Sequence, residues 1–215
     1  MQPLITHTGR AVALRRDNID TDQIVPGEYC KRVVKSGYAD ALFARWRKEP
    51  GFVLDRPEHQ GATVLLAGQN FGIGSSREHA VWALKDGGFT AVVATGFGDI
   101  FRRNALNNGL VPVDQPLEVV EELMAAAERD PGFEVTVDLQ ALELRAAGRR
   151  WTFTAEPRAR GLLLQGLDTI EVTIQRGSLI DAYESRREPW LPAIPRGSAT
   201  AAAAAAAAQD PAATR

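Results

Sequence analysis

The densest chemistry in the chain lies in Asn70-Phe71-Gly72-Ile73-Gly74-Ser75-Ser76-Arg77-Glu78-His79-Ala80. An apolar run, Thr63 to Ala67, precedes it, and the spacing after it predicts a helix from Arg77 to Lys85, stopped at Gly87-Gly88. Two glycines admit backbone angles and a close ligand approach that bulkier residues block. Two hydroxyls and an arginine then fall at the helix start, where unpaired N–H groups and the helix dipole favour an anion. Arg77 adds a planar fork matched to carboxylate or phosphate. The pattern predicts an anion-binding strand–loop–helix corner. The same letters also fit a capping box, with Ser75 capping and Glu78 reaching back. A structural role for Ser75 therefore stands beside the chemical one. The stretch lacks the third glycine and acidic residue of a dinucleotide fingerprint, and the Lys-Ser/Thr ending of a phosphate loop.

Two further clusters have candidate chemistry. Asp17-Asn18-Ile19-Asp20-Thr21-Asp22-Gln23-Ile24-Val25-Pro26 places three carboxylates within six residues. The spacing resembles the start of a calcium loop without its glycine and closing glutamate, and a turn held by Asx hydrogen bonds reads equally well. Gly96-Phe97-Gly98-Asp99 opens a helix whose Arg102-Arg103 reads as a solvated face. His7, His59 and His79 share no ligand spacing, so no metal site is expected, and His79 is expected to support its helix.

The elements that must position these clusters alternate in type. Ala11–Leu14, Thr63–Ala67 and Thr90–Ala94 read as strands, the latter two with both faces covered, and Leu110–Val113 as a short fourth. Helices are expected at Tyr38–Lys48, Asp99–Asn107 and Leu117–Arg129. Phe133–Asp138, Ala141–Arg145 and Trp151–Thr154 form a small antiparallel set with a turn at Ala147-Gly148. Helical segments follow at residues 160–165, 168–175 and 179–187. The class is α/β. The working domain runs over residues 1–197, and 198–215 reads as an Ala-rich low-complexity tail, a disordered or frayed helix without chemistry.

Composition narrows the classes further. The chain has 215 residues, 45% of them hydrophobic and 24% charged, with net charge −2. Such a balance excludes a whole-chain basic footprint for nucleic acid. No apolar run of about 18 residues is present to span a membrane. A single cysteine, Cys30, excludes a disulfide framework and any iron–sulfur site built from this chain alone. A reducing, cytoplasmic setting follows as the expectation.

Taken together, three stretches carry a family resemblance. They are Asn18-Ile19-Asp20-Thr21-Asp22-Gln23-Ile24, Phe71-Gly72-x-Gly74-Ser75-Ser76-Arg77-Glu78-His79-Ala80, and Phe97-x-Asp99-Ile100-Phe101 with Asn104 and Asn108-Gly109-Leu110. In this order they resemble the swivel domain of the aconitase superfamily, and within it the small subunits of bacterial 3-isopropylmalate dehydratases (isopropylmalate isomerases). Leu163-Leu164-x-Gly166-Leu167-Asp168-x-Ile170 and Arg187-x-Pro189-Trp190-Leu191-Pro192 fit the same subunits. The likeness covers about residues 8–193.

The resemblance implies a swivelling β/β/α domain with a partly open, barrel-like sheet flanked by helices. It implies isomerisation of 2-isopropylmalate to 3-isopropylmalate, by dehydration and rehydration, in leucine biosynthesis. This chain would bind no cofactor, and a [4Fe–4S] cluster would sit on a large partner subunit. Ser75 matches the general base, Arg77 a carboxylate grip, Ser76 a further substrate contact, and Thr21-Asp22 an active-site pair near the leaving water. Tyr29, Cys30 and Lys31 match a loop that contacts the substrate's variable group. Two positions depart from the pattern: Ile73 stands where bacterial small subunits often have cysteine, and Cys30 where many have leucine. An apolar loop suits an isopropyl group, whereas Lys31 and Arg32 leave a homoaconitase-like tricarboxylate substrate open. An alternative of another class is a stand-alone carboxylate- or phosphate-binding module.

Overall fold

A computed structural model of the chain describes residues 2–188 and 190–192. The tail expected at 198–215 lies outside the described residues. The chain divides into two compact units, one ending at Glu171 and one beginning at Val172.

The first unit is built on one seven-stranded sheet, β1 (Thr6–Leu14), β2 (Val64–Ala67), β3 (Ala91–Ala94), β4 (Val111–Asp114), β5 (Glu134–Asp138), β6 (Glu143–Ala146) and β7 (Arg149–Thr152). Their spatial order is β4-β3-β2-β1-β5-β6-β7, a curled half-barrel left open at both edges. β1 to β4 pair in parallel, with Ala11 opposite Val64 and Val64 opposite Ala91. β5 runs antiparallel to β1, and β6 and β7 continue as a meander.

β1 is longer than its apolar run predicts because it changes partner midway. Ala11–Leu14 pair with β2, while the more polar Thr6–Arg10 pair with β5. Strands β2 and β3 are buried at every position, as continuous apolar runs require. Alternate residues feed two cores: Val12, Leu65 and Val92 face one, Ala11, Val64 and Val93 the other. Helices α2 (Glu78–Asp86) and α3 (Asp99–Asn107) close the first, with Ala80, Val81 and Leu84 among the residues buried. Helix α4 (Leu117–Arg129) closes the second through Val120, Leu123, Met124 and Ala127, spaced along one helical face. Helix α5 (Pro157–Gln165) adds Leu163, capped at its start by the Glu156 carboxylate and at its end by Gly166 at φ 69°.

The helix expected over Tyr38–Lys48 is not formed. The segment is a run of turns ending in a 3-10 turn, Trp46–Lys48. Ala41, Leu42 and Phe43 are all buried, which three consecutive residues on one amphipathic face cannot be. Phe43 takes a positive φ of 50° and bonds its N–H to the Ile24 carbonyl instead. Helix α6 (Thr169–Ile174) crosses the boundary between the units, and α7 (Gly177–Glu184) lies in the second. No described helix is long and apolar enough to cross a membrane.

Candidate active site

The three motif loops leave the sheet at the carboxyl ends of β1, β2 and β3, where parallel α/β sheets gather ligand-binding loops. They are stitched together by backbone. Gly72 donates to the Ile19 carbonyl at 2.7 Å and Thr21 N–H to the Ile73 carbonyl at 3.0 Å, forming an isolated parallel bridge between Asp20 and Ile73. Phe71 is held from the other side, donating to Gly96 O and accepting from Gly98 N–H, each at 2.9 Å. Beneath it, Phe71, Phe97 and Phe101 make an aromatic floor, with the Phe71 and Phe101 rings edge to face at 5.2 Å.

The glycines at this junction are obligatory for stated reasons. Gly72 and Gly74 sit at φ 72° and 93°, and a Cβ on Gly72 would run into the Phe101 ring. Asn18 and Asn70 take the same left-handed conformation, which asparagine tolerates, and join side chains at 2.7 Å. Sequence reading missed this pair.

The three carboxylates of the cluster are distributed to separate partners. Asp17 accepts from the Gln69 N–H at 2.8 Å. Asp20 caps a one-turn helix, α1 (Thr21–Ile24), in a reciprocal capping box with Gln23. Asp22 ion-pairs with Arg77. The Arg77 guanidinium holds the Asp22 carboxyl below the usual carboxylate range, helped by a backbone hydrogen bond at Gly27. Among the described residues no group of three His, Cys, Asp or Glu side chains is placed to hold a metal ion.

The capping box expected over Ser75–Glu78 is absent. Arg77 occupies the N-cap position of α2 in an extended conformation, and no side chain caps that helix. Glu78 turns instead to Asn108, accepting from its Nδ2 at 2.6 Å. Ser75 and Ser76 are both exposed, ahead of the N-terminus of α2. The structural role that competed for Ser75 is therefore removed. Thr21 is only 3% exposed, and its hydroxyl donates to the Ser75 carbonyl at 2.9 Å. It ties the serine loop to the start of α1.

Tyr29, Cys30 and Lys31 lie on a 3-10 turn, Gly27–Lys31. Tyr29 and Cys30 are half-buried against the first core, and Lys31 is exposed. Burial pushes the Cys30 thiol up, against the opposing pull of Arg77, so it stands as a neutral thiol near that cation. Arg102 departs from the solvated face expected for it: it pairs with both oxygens of Asp114 and lies over the Phe97 ring at 5.1 Å. His79 packs edge to face on Tyr38 and Trp82, the supporting role expected of it.

Comparison with known proteins decides the family. The Aconitase C-terminal domain profile matches residues 1–118 and the LeuD_N profile residues 121–157. The 3-isopropylmalate dehydratase small subunit of Acidothermus cellulolyticus is 54% identical over 192 residues, 89% of this chain and 98% of the relative. The chain belongs to the 3-isopropylmalate dehydratase small-subunit family. A Streptomyces coelicolor member of that family is 52% identical over the same coverage. A crystal structure of a 3-isopropylmalate dehydratase from Methanocaldococcus jannaschii is similar at TM-score 0.62 and 30% identity, covering 84% of this chain and 99% of that one. The structure joins Asp22 to Arg77 by an ion pair and Thr21 to the Ser75 carbonyl by a hydrogen bond, with Tyr29, Cys30 and Lys31 on the turn that follows Pro26.

Proposed function

We propose that this chain is the small subunit of a hydro-lyase that isomerises 2-isopropylmalate to 3-isopropylmalate in leucine biosynthesis, active with a large, cluster-bearing subunit in the cytoplasm. Family membership together with one geometric observation supports the reading: Ser75 is exposed beside Arg77 at the start of α2, released from helix capping. A serine hydroxyl becomes a useful base only where its alkoxide is stabilised. Arg77 and the positive end of α2 supply that potential. Ser75 takes the proton from the carbon next to a substrate carboxylate as the hydroxyl leaves the adjacent carbon; on rehydration water adds to the carbon that lost the proton, and Ser75 returns the proton to the carbon that lost the hydroxyl.

Arg77 grips one carboxylate of the dicarboxylate. Its five N–H donors allow it to keep Asp22 while doing so. Asp22 fixes the fork and lies beside the departing water. Ser76 adds a contact, and Thr21 positions Ser75 through the backbone. A [4Fe–4S] cluster, which supplies a Lewis acid for the leaving hydroxyl, does not fit the residues of this chain: Cys30 is the single cysteine, and among the described residues no set of His, Cys, Asp or Glu is grouped to hold a metal. The cluster belongs on the large subunit.

Co-expression with the large subunit, followed by absorbance of the conjugated isopropylmaleate intermediate, tests the reading. Turnover is expected of the mixed complex and of neither subunit alone. Absence of turnover by a cluster-loaded complex overturns it. The half-buried Tyr29 and Cys30 favour an alkyl group over a further carboxylate, so kcat/KM for 2-isopropylmalate should exceed that for homocitrate. Equal values would defeat that substrate assignment.

A further inference from the structure

The loop beside the Arg77 corner carries two adjacent cations with different fates. Lys31 is exposed. Arg32 is turned into the loop: Nη1 donates to Asp40 Oδ1 at 2.8 Å and to the Gly37 carbonyl at 2.6 Å, and Nη2 to Asp40 Oδ2 at 2.7 Å. The same guanidinium lies over the Tyr29 ring at 5.0 Å and the Tyr38 ring at 5.5 Å. Tyr38 is fully buried and fastens the returning chain. Its hydroxyl donates to the Val34 carbonyl at 2.9 Å, and its N–H to Asp86 on α2 at 2.8 Å. The loop is thus tied to the helix whose first turn follows Ser75 and Arg77. Bidentate pairing fixes the plane of a guanidinium as well as its distance. Asp40 takes both terminal nitrogens of Arg32 and the Gly37 carbonyl takes a further donor, whereas the ion pair of Arg77 with Asp22 runs through Nη1 and leaves donors for a second carboxylate.

We infer that Arg32 is a positioning residue for the side-chain end of the substrate pocket: through Asp40, Gly37, Tyr29 and Tyr38 it holds the loop bearing Tyr29, Cys30 and Lys31 in place, and it does not itself bind a substrate carboxylate. The inference rests on the proposed function, and it removes one of the two cations that would suit a tricarboxylate.

The test uses the assembled two-subunit complex carrying Arg32→Gln, Asp40→Asn, or both. Each single variant should lower kcat/KM for 2-isopropylmalate about tenfold, mostly through KM. Each should also reduce, by a similar factor, the preference for 2-isopropylmalate over 2-methylmalate. The double variant should be no worse than either single one, because both remove the same clasp. If Arg32→Gln changes discrimination while Asp40→Asn does not, Arg32 contacts substrate directly and the inference fails. It also fails if both variants lower Tm and leave the preference unchanged. A second readout is independent of activity: in the full-length isolated chain, Asp40→Asn should speed tryptic cleavage after Lys35 severalfold, and equal rates would overturn the clasp. If the wild-type complex turns over neither malate, the proposed function falls, and the cleavage rates alone decide whether the loop is held as described.

Discussion

At the scale of single residues, the site depends on which polar groups are free to act and which are committed to the scaffold. Ser75 is free, and Ser75→Ala in the assembled enzyme should lower turnover by more than tenfold, about 1.4 kcal/mol of barrier, measured as kcat at saturating substrate. Retention within tenfold would remove it as the base. Thr21 is committed: Thr21→Val leaves the Ser75 carbonyl without its donor and should lower kcat severalfold, whereas Thr21→Ser keeps the hydroxyl and should restore it. Asp22 is held by Arg77 below its ordinary value of 3.8. A depressed carboxylate stabilises the fold above its unfolded pKa, and that contribution is lost as pH falls through the folded one. Asp22→Asn should therefore be less stable than wild type above about pH 5, with the two denaturation curves converging in stronger acid. Parallel curves at every pH would show that the ion pair contributes nothing to folding, as many half-exposed pairs do not.

At the scale of elements, most of the framework was legible and the reasons for the gaps are specific. The buried parallel strands, α3 and α4 follow from continuous apolar runs, one-face periodicity and glycine stops, signals that are local in sequence. Tyr38–Lys48 has helical spacing but no helix, because its apolar residues satisfy tertiary contacts around Phe43 rather than a helical face. The letters of Ser75–Glu78 fit a capping box, but the partner that takes Glu78, Asn108, is thirty residues away. The Asn18–Asn70 and Arg32–Asp40 clasps likewise depend on loop paths that spacing does not encode. The junction of the loops makes its own prediction. A Cβ on Gly98 would lie 2.5 Å from the Gly72 carbonyl oxygen and 3.1 Å from Ile73 Cα, both backbone atoms that cannot swing aside. Gly98→Ala should cost about 1–3 kcal/mol in urea denaturation. It should also reduce activity beyond that loss, because the displaced strand of loop carries Gly74 and Ser75.

At the scale of the whole molecule, the proposed function makes the chain half of a reaction centre. The Arg77–Asp22 corner and the Gly27–Lys31 turn are formed within the first unit, and on that proposal the Lewis acid comes from another polypeptide. Truncation before Ser198 should leave complex assembly and kcat unchanged, as sedimentation and the isopropylmaleate assay would show. A loss of assembly would give the Ala-rich segment a docking role. The exposure of Ser75 has a consequence for the cell that makes this subunit. An alcohol in open water holds its proton far too tightly to abstract another from carbon, so if Ser75 is the base proposed above, its reactivity awaits the covering of a partner. Surplus copies of the chain would then be chemically silent, and uneven synthesis of the two polypeptides would waste material without releasing a stray catalyst.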